Sequence, residues 1–501
     1  ALQKSQNNLS TSIERLSSGY KINGSKDDAA GCAISEKMRA QIRGLSQAQN
    51  NTADGVSVLN TAEGAITEIQ SMLTRLKELS VQAANDVNSD DEREAIQKEI
   101  EQINNEIDRI SDQTEFNTQS LINGNLSRRV YSDFQGVNQL SVSDSYTAGV
   151  YGITVTEDAR QAIAVGAGSI TMSSTASITE EQAGAINING YKISISEGDT
   201  LDKVMGKIID GVNITGGSAF TVKDLNNDTA ANGTDYAGYV PTADYAGSTL
   251  VIMTNQYGSD QKMNITCDNA ELADILGIPQ AATQDGIYVE GSDVKAEIAT
   301  GDDGKRIGFA DSAILSTKGT VITVTDVNNK EFSMDVPGNA AGTVFDDSNN
   351  DGQSVAGAGT ARTISQEVTD VGTMSIHVGA NQDQVIVIDI PAITTYSLGT
   401  EHMNVMTQYT ASRAISTVDE AINKTNKIRS RIGAYENRFD HTTNNLEVSS
   451  ENLTKSLSTM IDTDMSEEMT TYTSETVLTQ AATSILAQAN ERPSQVLQLL
   501  Q

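Results

Sequence analysis

Three histidines, two cysteines and one acidic loop are the residues of this 501-residue chain whose types could do chemistry. His377, His402 and His441 are far apart and lack metal-ligand spacing. No His-Glu-x-x-His occurs, so the zinc-protease arrangement of two imidazoles one helical turn apart with a general base between them is missing. Asp347-x-Asn349-x-Asp351-Gly352 opens like a calcium loop. Its twelfth position is Ala358, where a bidentate Glu belongs, so the stretch reads as an acidic turn. Gly357-Ala358-Gly359 lacks the third glycine and the lysine of a phosphate-cradling loop and also reads as a turn. Cys32 and Cys267 make neither a disulfide framework nor a metal site, and read as unpaired buried or half-buried thiols. With no nucleophile elbow and no catalytic dyad, the chain is expected to be no enzyme and to carry no metal or cofactor.

Charge narrows the partners. The formal net charge is −33, and it is unevenly placed. Residues 130–400 hold 35 Asp/Glu against 12 Lys/Arg, while the two ends together hold 32 against 22. An acidic middle cannot gather the Lys/Arg clusters that phosphate backbones need, which excludes nucleic acid. It suits a solvated outer surface. No apolar run approaches the roughly 18 residues of a membrane span, so no membrane insertion is expected. No cleavable signal is visible at the N-terminus, so export would require another route.

The elements that must position these residues fall into three regions. The five prolines are Pro241, Pro279, Pro337, Pro391 and Pro493. None precedes Pro241 and none lies between Pro391 and Pro493, so long helices are permitted at both ends, since an interior proline costs about 3 kcal/mol. Val56, Leu59, Ala62, Ile66, Ile69, Leu73, Leu76 and Ala83 recur mostly every three or four residues and predict a helix from about Ser35 to Ala84. A turn follows at Asp86–Asp90. Then Ile96, Ile100, Ile103, Ile107 and Ile110, spaced 4, 3, 4, 3, form a heptad seam with Ser89 or Asp90 as its N-cap. At the other end Ile428, Ile432, Tyr435, Phe439, Leu446, Leu453, Leu457 and Met460 make a second stripe. Val477, Leu478, Ala481, Ala482, Ile485, Leu486 and Ala489 make a third. Isolated helices of this kind are marginal and need partners. The middle, about 130–395, has β-branched runs such as Val321–Thr325 and Val385–Ile390, and turn dipeptides Asn189-Gly190, Asn232-Gly233 and Asp351-Gly352. Ile186–Ile193 with Glu197–Leu201 reads as strand, turn, strand and a helix capped near Asp199.

Several segments resemble the flagellin signatures. At the N-terminal end they are Leu16-Ser17-Ser18-Gly19-Tyr20-Lys21-Ile22-Asn23, Lys26-Asp27-Asp28-Ala29-Ala30-Gly31, Ala53-Asp54-Gly55 and Arg75–Asn85. At the C-terminal end they are Asn437-Arg438-Phe439, Asn452-Leu453, Ser484–Asn490 and Val496–Leu500. The likeness covers about 1–125 and 375–501. It implies an α+β multi-domain hairpin: a long antiparallel coiled coil or bundle built from both chain ends, with one or two β-rich domains inserted in the middle. The expected segments are 1–29 as an inner N-terminal helical part and 30–125 as a helical layer. The variable insert follows at 126–374, then a β-hairpin with the rest of the layer at 375–460, and an inner C-terminal helix at 461–501. Flagellins usually start a short stretch earlier, so part of the inner helix is expected to lie outside this sequence.

The implied function is a structural subunit that polymerises into the bacterial flagellar filament. Its implied partners are other flagellin subunits, the flagellar export machinery and its chaperone, and its implied location is secreted, in the flagellum. A hook–filament junction or cap-related protein, or a host-interacting ligand, is the alternative. Ile66, Ile69, Leu73, Leu76, Ile96, Ile100, Ile103, Ile107, Ile428, Ile432, Phe439 and Leu453 are assigned to helical packing. Leu16, Ile22, Ile485, Leu486, Val496, Leu497 and Leu500 are assigned to subunit assembly. Arg75, Leu79, Gln82, Glu99 and Arg438 match positions where the family is read by Toll-like receptor 5, although Thr74 departs from the Gln common before the matching Arg.

Overall fold

The structure is a computed structural model and describes residues 2–143, 146–166, 168–223, 245, 247–278, 286–301, 304–326, 330–338, 340–341, 345–346, 355–356, 361–369 and 371–499. The turns at Asn232-Gly233 and Asp351-Gly352, the acidic loop at 347–352 and the glycines at 357 and 359 lie outside them. Helices at both ends flank a β-rich middle. Among the described residues the helices are α1 (Leu2–Ser18), α2 (Ala29–Ala83), α3 (Asp90–Gln113), α4 (Leu201–Ile214), α5 (Ala270–Ile275), α6 (Thr395–Leu398), α7 (Gln408–Ile461) and α8 (Met465–Leu499). Two compact units share them. The first takes Ala1–Ser57, Ser375–Val387 and Ala434–Gln501; the second takes Val58–Met374 and Ile388–Gly433.

In the first unit, α1 ends where Gly19 takes φ +76, a left-handed stop that costs glycine little. The chain then pairs with the end of α7: Lys21 N–H donates to Ile461 O at 2.7 Å and Thr463 N–H to Gly19 O at 3.0 Å. α2 begins earlier than its apolar stripe predicts, because Asp28 Oδ1 accepts the Ala30 N–H at 3.0 Å and satisfies one of the first-turn donors. The core is small. Leu45, Ala48 and Leu446 are buried, with Ala380 and Leu453 half-buried against them. Ala380 belongs to the turn of a hairpin formed by Met374–His377 and Val385–Ile388. Gly55 is needed here, since a Cβ on it would sit 3.0 Å from the Phe439 ring.

In the second unit, α2 and α7 run antiparallel. Glu63 pairs with Arg429 at 2.6 Å, Gln70 with Asn426 at 2.9 Å and Lys77 with Asp419 at 2.6 Å, so numbers rise along one helix as they fall along the other. Ile66, Ile69, Leu73, Leu76 and Leu79 are buried along that seam, as are Val418, Ile428 and Ile432. α3 starts with a capping box: Glu92 N–H donates to Ser89 Oγ at 3.3 Å and Ser89 N–H to Glu92 Oε2 at 2.8 Å. Its buried face differs from the heptad expectation. Ile96, Ile100 and Ile107 are buried with Arg93, Asn104 and Ser111, while Ile103 and Ile110 are only half-buried. A straight helix repeats every 3.6 residues, so a strict 3.5-residue seam drifts off the contact face. Asn104 and Ser111 stay on that face by bonding Thr400 O at 2.8 Å and Ile122 O at 3.2 Å.

The insert holds two larger cores. One lies beneath two four-stranded antiparallel sheets. Their spatial orders are Lys295–Ile298, Gly149–Glu157, Arg362–Val368, Val130–Ser132, and Ile314–Lys318, Val321–Thr325, Glu331–Asp335, Asn138–Val142. Tyr146, Tyr151, Phe309 and Phe332 meet there largely edge-on, with ring centroids 5.1–6.0 Å apart. The other core packs α4 and α5 on the sheet Ile287–Glu290, Lys262–Cys267, Gly184–Ile188, Tyr191–Ile195. Asn189 and Gly190 turn that hairpin with φ +50 and +90, the paired positive values a tight two-residue hairpin requires. The helix after it is capped one residue later than expected. Thr200 Oγ1 accepts the Lys203 N–H at 3.4 Å, and buried Asp199 is held instead by Lys203 and Lys207 at 2.7 and 2.6 Å.

Candidate assembly surface

α1 and α8 are helical because no proline interrupts α1 and because Asp464 caps α8, accepting the Ser466 and Glu467 N–H groups at 2.8 and 3.2 Å. Their mutual contact is polar and thin. Ser5 Oγ and Asn8 Nδ2 donate to the Glu475 carboxylate, the latter at 2.9 Å, and these bonds hold the Glu475 carboxyl below its ordinary range. Arg15 lies 3.7 Å from Glu468. The only buried residues of α1 are Ser5 and Ser12. Arg15 Nε and Glu468 Oε1 are buried without a hydrogen-bond partner, a cost of about 1–3 kcal/mol for each such group.

Several apolar side chains of these helices face solvent instead. Ile485 is 65% exposed and Leu486 52%, and Met465, Met469, Val477, Leu478 and Ile13 are comparably open. On α8 the adjacent pair Val477 and Leu478 recurs eight residues on as Ile485 and Leu486, which places these four on one broad stripe. Hiding a half-exposed side chain of this size is worth about 1 kcal/mol, so the stripe offers several kcal/mol to any surface that covers it.

The other assigned residues are placed as follows. Leu16 and Ile22 are half-buried, and a Cβ on Gly31 would meet Ile22 Cδ1 at 2.8 Å. Val496 and Leu497 belong to α8, with their side chains outside the described residues, and Leu500 lies outside them altogether. Ile103 and Leu453 are half-buried, while Phe439 is buried. Arg75 is exposed on α2 and bonded to Glu99 at 2.8 Å and Glu78 at 3.2 Å, the Glu99 bond first among the causes that raise its pKa. Gln82, seven residues further along α2, is also exposed. Leu79 requires a correction: it is 1% exposed and belongs to the α2 packing seam, so it presents nothing to a receptor. Its distance from Leu76 and Ala83, three and four residues, continues the buried stripe. Arg438 is exposed in the first unit, 5.9 Å from the Tyr435 ring.

Sequence reasoning missed Ile13, Met465 and Met469, which the four-residue spacing on α8 could have found for the methionines. It also missed Arg93, whose guanidinium donates to Ala83 O and Asn85 O, both at 3.1 Å, and closes the end of α2. Cys32 is half-buried, and burial of Cys267 pushes its thiol pKa up. Among the described residues no group of three or more His, Cys, Asp or Glu could hold a metal ion, and no helix is long and apolar enough to cross a membrane.

Residues 1–127 match the family described as bacterial flagellin N-terminal helical region, and residues 415–500 match the bacterial flagellin C-terminal helical region. The chain is 31% identical over its full length to a flagellin of Salmonella typhimurium, covering 96% of that protein. It is 30% identical over 98% of its length to polar flagellin A of Vibrio parahaemolyticus, covering 93% of that protein.

Proposed function

Because this chain belongs to the bacterial flagellin family, and so is a structural subunit of a flagellar filament that polymerises with further flagellin subunits, we propose that it does so by burying the apolar stripe of α8 and the outward side of α1 against neighbouring copies. The observation that carries this is the inversion at the chain ends. Small polar residues fill the α1–α8 contact, while Ile485, Leu486, Val477 and Leu478 stay exposed. Contacts between copies that do not close on themselves repeat as an open helix.

In this reading residues 1–29 and 461–501 are the assembling ends, 30–125 with 375–460 the helical layer, and 126–374 the insert. Leu16, Ile22, Val496, Leu497 and Leu500 join the assembling surface. The chain works as a structural element and not as an enzyme. A filament subunit acts outside the cell, so the chain is secreted, with the flagellar export machinery and its chaperone as earlier partners.

The test is electron microscopy of purified protein carrying Ile485→Asp and Leu486→Asp. Long tubes from the wild type and none from the double variant, with the thermal melt of the monomer unchanged, are expected. Tubes of normal length from the variant would remove this stripe from the assembly surface. A second reading, recognition by Toll-like receptor 5, is favoured by the exposure of Arg75, Gln82 and Glu99 on neighbouring positions of α2 and α3.

A further inference from the structure

Two hollows adjoin in the second unit. One, about 420 Å³, is lined by Tyr191, Tyr288 and Tyr409 together with Asp86, Asp90 and Arg93. The other, about 870 Å³, has Glu101, Asn104 and Asn105 of α3 on one side and Asn213, Asn255 and Gln256 of the insert on another. Asn189 and Lys262 line both, which makes them one stepped cleft. Each falls within the roughly 300–1,000 Å³ of small-molecule sites, but the walls are amide, hydroxyl and tyrosine rather than apolar.

The walls are fixed before any guest arrives. Gln97 Nε2 donates to Met403 O and Gln97 Oε1 accepts from Val405 N–H, both at 3.0 Å. Asn404 is held the same way, by Ile214 O and Met406 N–H at 2.9 Å each. Arg413 donates to Gln261 Oε1 at 3.1 Å. Asn105 and Asn213 remain exposed on the cleft wall. Asn104 is only 8% exposed and gives its Nδ2 to Thr400 O, but its Oδ1 has no donor. That oxygen is shut off from solvent, so the open polar contacts of the wall come from Asn105 and Asn213.

We propose that this cleft binds a neutral oligosaccharide. A sugar hydroxyl both donates and accepts, as do the amides that face it, and carboxylates accept from it. Tyrosine supplies a broad apolar face for the C–H side of a pyranose and a hydroxyl at the rim. Charge selects neutral sugars over acidic ones. Asp86, Asp90, Glu101, Asp108 and Glu401 outnumber Arg93, Lys262 and Arg413. Lys262 is already paired with Glu290 at 2.7 Å, and Arg93 is committed to backbone carbonyls. A sialylated or sulfated glycan would meet net repulsion.

The experiment applies the purified full chain, as monomer, to an array of immobilised neutral, sialylated and sulfated oligosaccharides. Binding to neutral members only is expected. Tyr191→Ala and Asn105→Ala should each weaken it about fivefold to tenfold, the loss of one aromatic or amide contact. Tyr191→Phe should hold it, and Tyr131→Ala, at an exposed tyrosine on another sheet, should leave it unchanged. Exposed Asn105 keeps the test decisive if Tyr191→Ala does not fold. The proposal is overturned if no neutral glycan binds, if acidic glycans bind better, or if both cleft variants bind like wild type. It also fails if Tyr191→Ala abolishes self-association of a chain that binds no glycan, which would make a second copy the occupant.

Discussion

The α1–α8 contact and the aromatic core of the insert bury side chains on opposite principles. In the insert, Tyr146, Tyr151, Phe309 and Phe332 gather in one place, and the strands around them alternate so that Ile322, Val324 and Met334 point into the same interior. That domain is complete by itself. At the chain ends serines are buried and Ile485 and Leu486 are not. Four aromatics give one dense core the area that cohesion needs, since each buries about 150–250 Å². On the proposed reading the ends, which bury serines, take their missing half from neighbouring copies, and stability and polymerisation then sit in different regions.

Breaking the core is the harshest test of that separation. Phe332→Ala should cost about 3–5 kcal/mol, the usual loss for a buried aromatic. The effect would be read as an earlier unfolding transition of the insert in a thermal or urea melt. Filaments should still form at low temperature, because the exposed stripe on α8 is untouched. If Phe332→Ala instead prevented polymerisation while Ile485→Asp did not, the roles assigned to the two regions would have to be exchanged.

A smaller effect separates the regions by pH. Burial pushes the Tyr146 hydroxyl pKa up to about 12, and this hydroxyl has no hydrogen-bond partner. The unfolded chain would ionise it near 10. A folded-state value above the unfolded one contributes stability that is complete below pH 10 and is lost as pH rises toward 12. The insert transition should therefore fall by several degrees over that window. Tyr146→Phe should flatten the fall and leave stability at pH 7 equal or slightly higher, since it removes an unpaired buried hydroxyl. An alkaline slope identical in Tyr146→Phe would assign the effect to other groups. Asp199 acts in the opposite sense: its bonds to Lys203 and Lys207 keep its carboxyl well below the carboxylate range, so its contribution is present above about pH 4 and lost in acid.

Local signals were the legible ones. Ser89 or Asp90 ahead of the isoleucine seam states an N-cap, and Asn189-Gly190 between β-branched runs states a hairpin; both need only their neighbours. The α2 seam was readable too, because Ile66, Ile69, Leu73 and Leu76 repeat at helical spacing. What depended on distant partners was not. Nothing in the strand patterns says that Phe332 meets Tyr151 while Met263 belongs to a different core, so the number of domains in the insert stayed open. Asn104 and Ser111 look like surface residues until Thr400 O and Ile122 O are brought to them. Leu79 was drawn toward a receptor role by resemblance, although its spacing from Leu76 and Ala83 already placed it on the packing side. Ile485 and Leu486 read as a helical stripe in any setting, and it is their exposure in the structure that suggests docking over packing.

The two faces of α2 give the finest version of the comparison. Leu79 and Arg75 lie four residues apart, yet one is buried and the other is an exposed guanidinium bonded to Glu99. Leu79→Ala should lower stability by about 2–5 kcal/mol, as a buried truncation does, and any loss of receptor signalling it caused would then report on folding. Arg75→Asp places a carboxylate among Glu78 and Glu99 but touches no core residue, so the melt should move little. Its readout is a cell reporter for Toll-like receptor 5 exposed to the soluble monomer. Reduced signalling with an unchanged melt would assign Arg75 to a recognition surface separable from packing. Signalling equal to wild type would leave the Arg75–Glu99 pair as a link between α2 and α3 alone, and exposure on this face would then carry no receptor meaning.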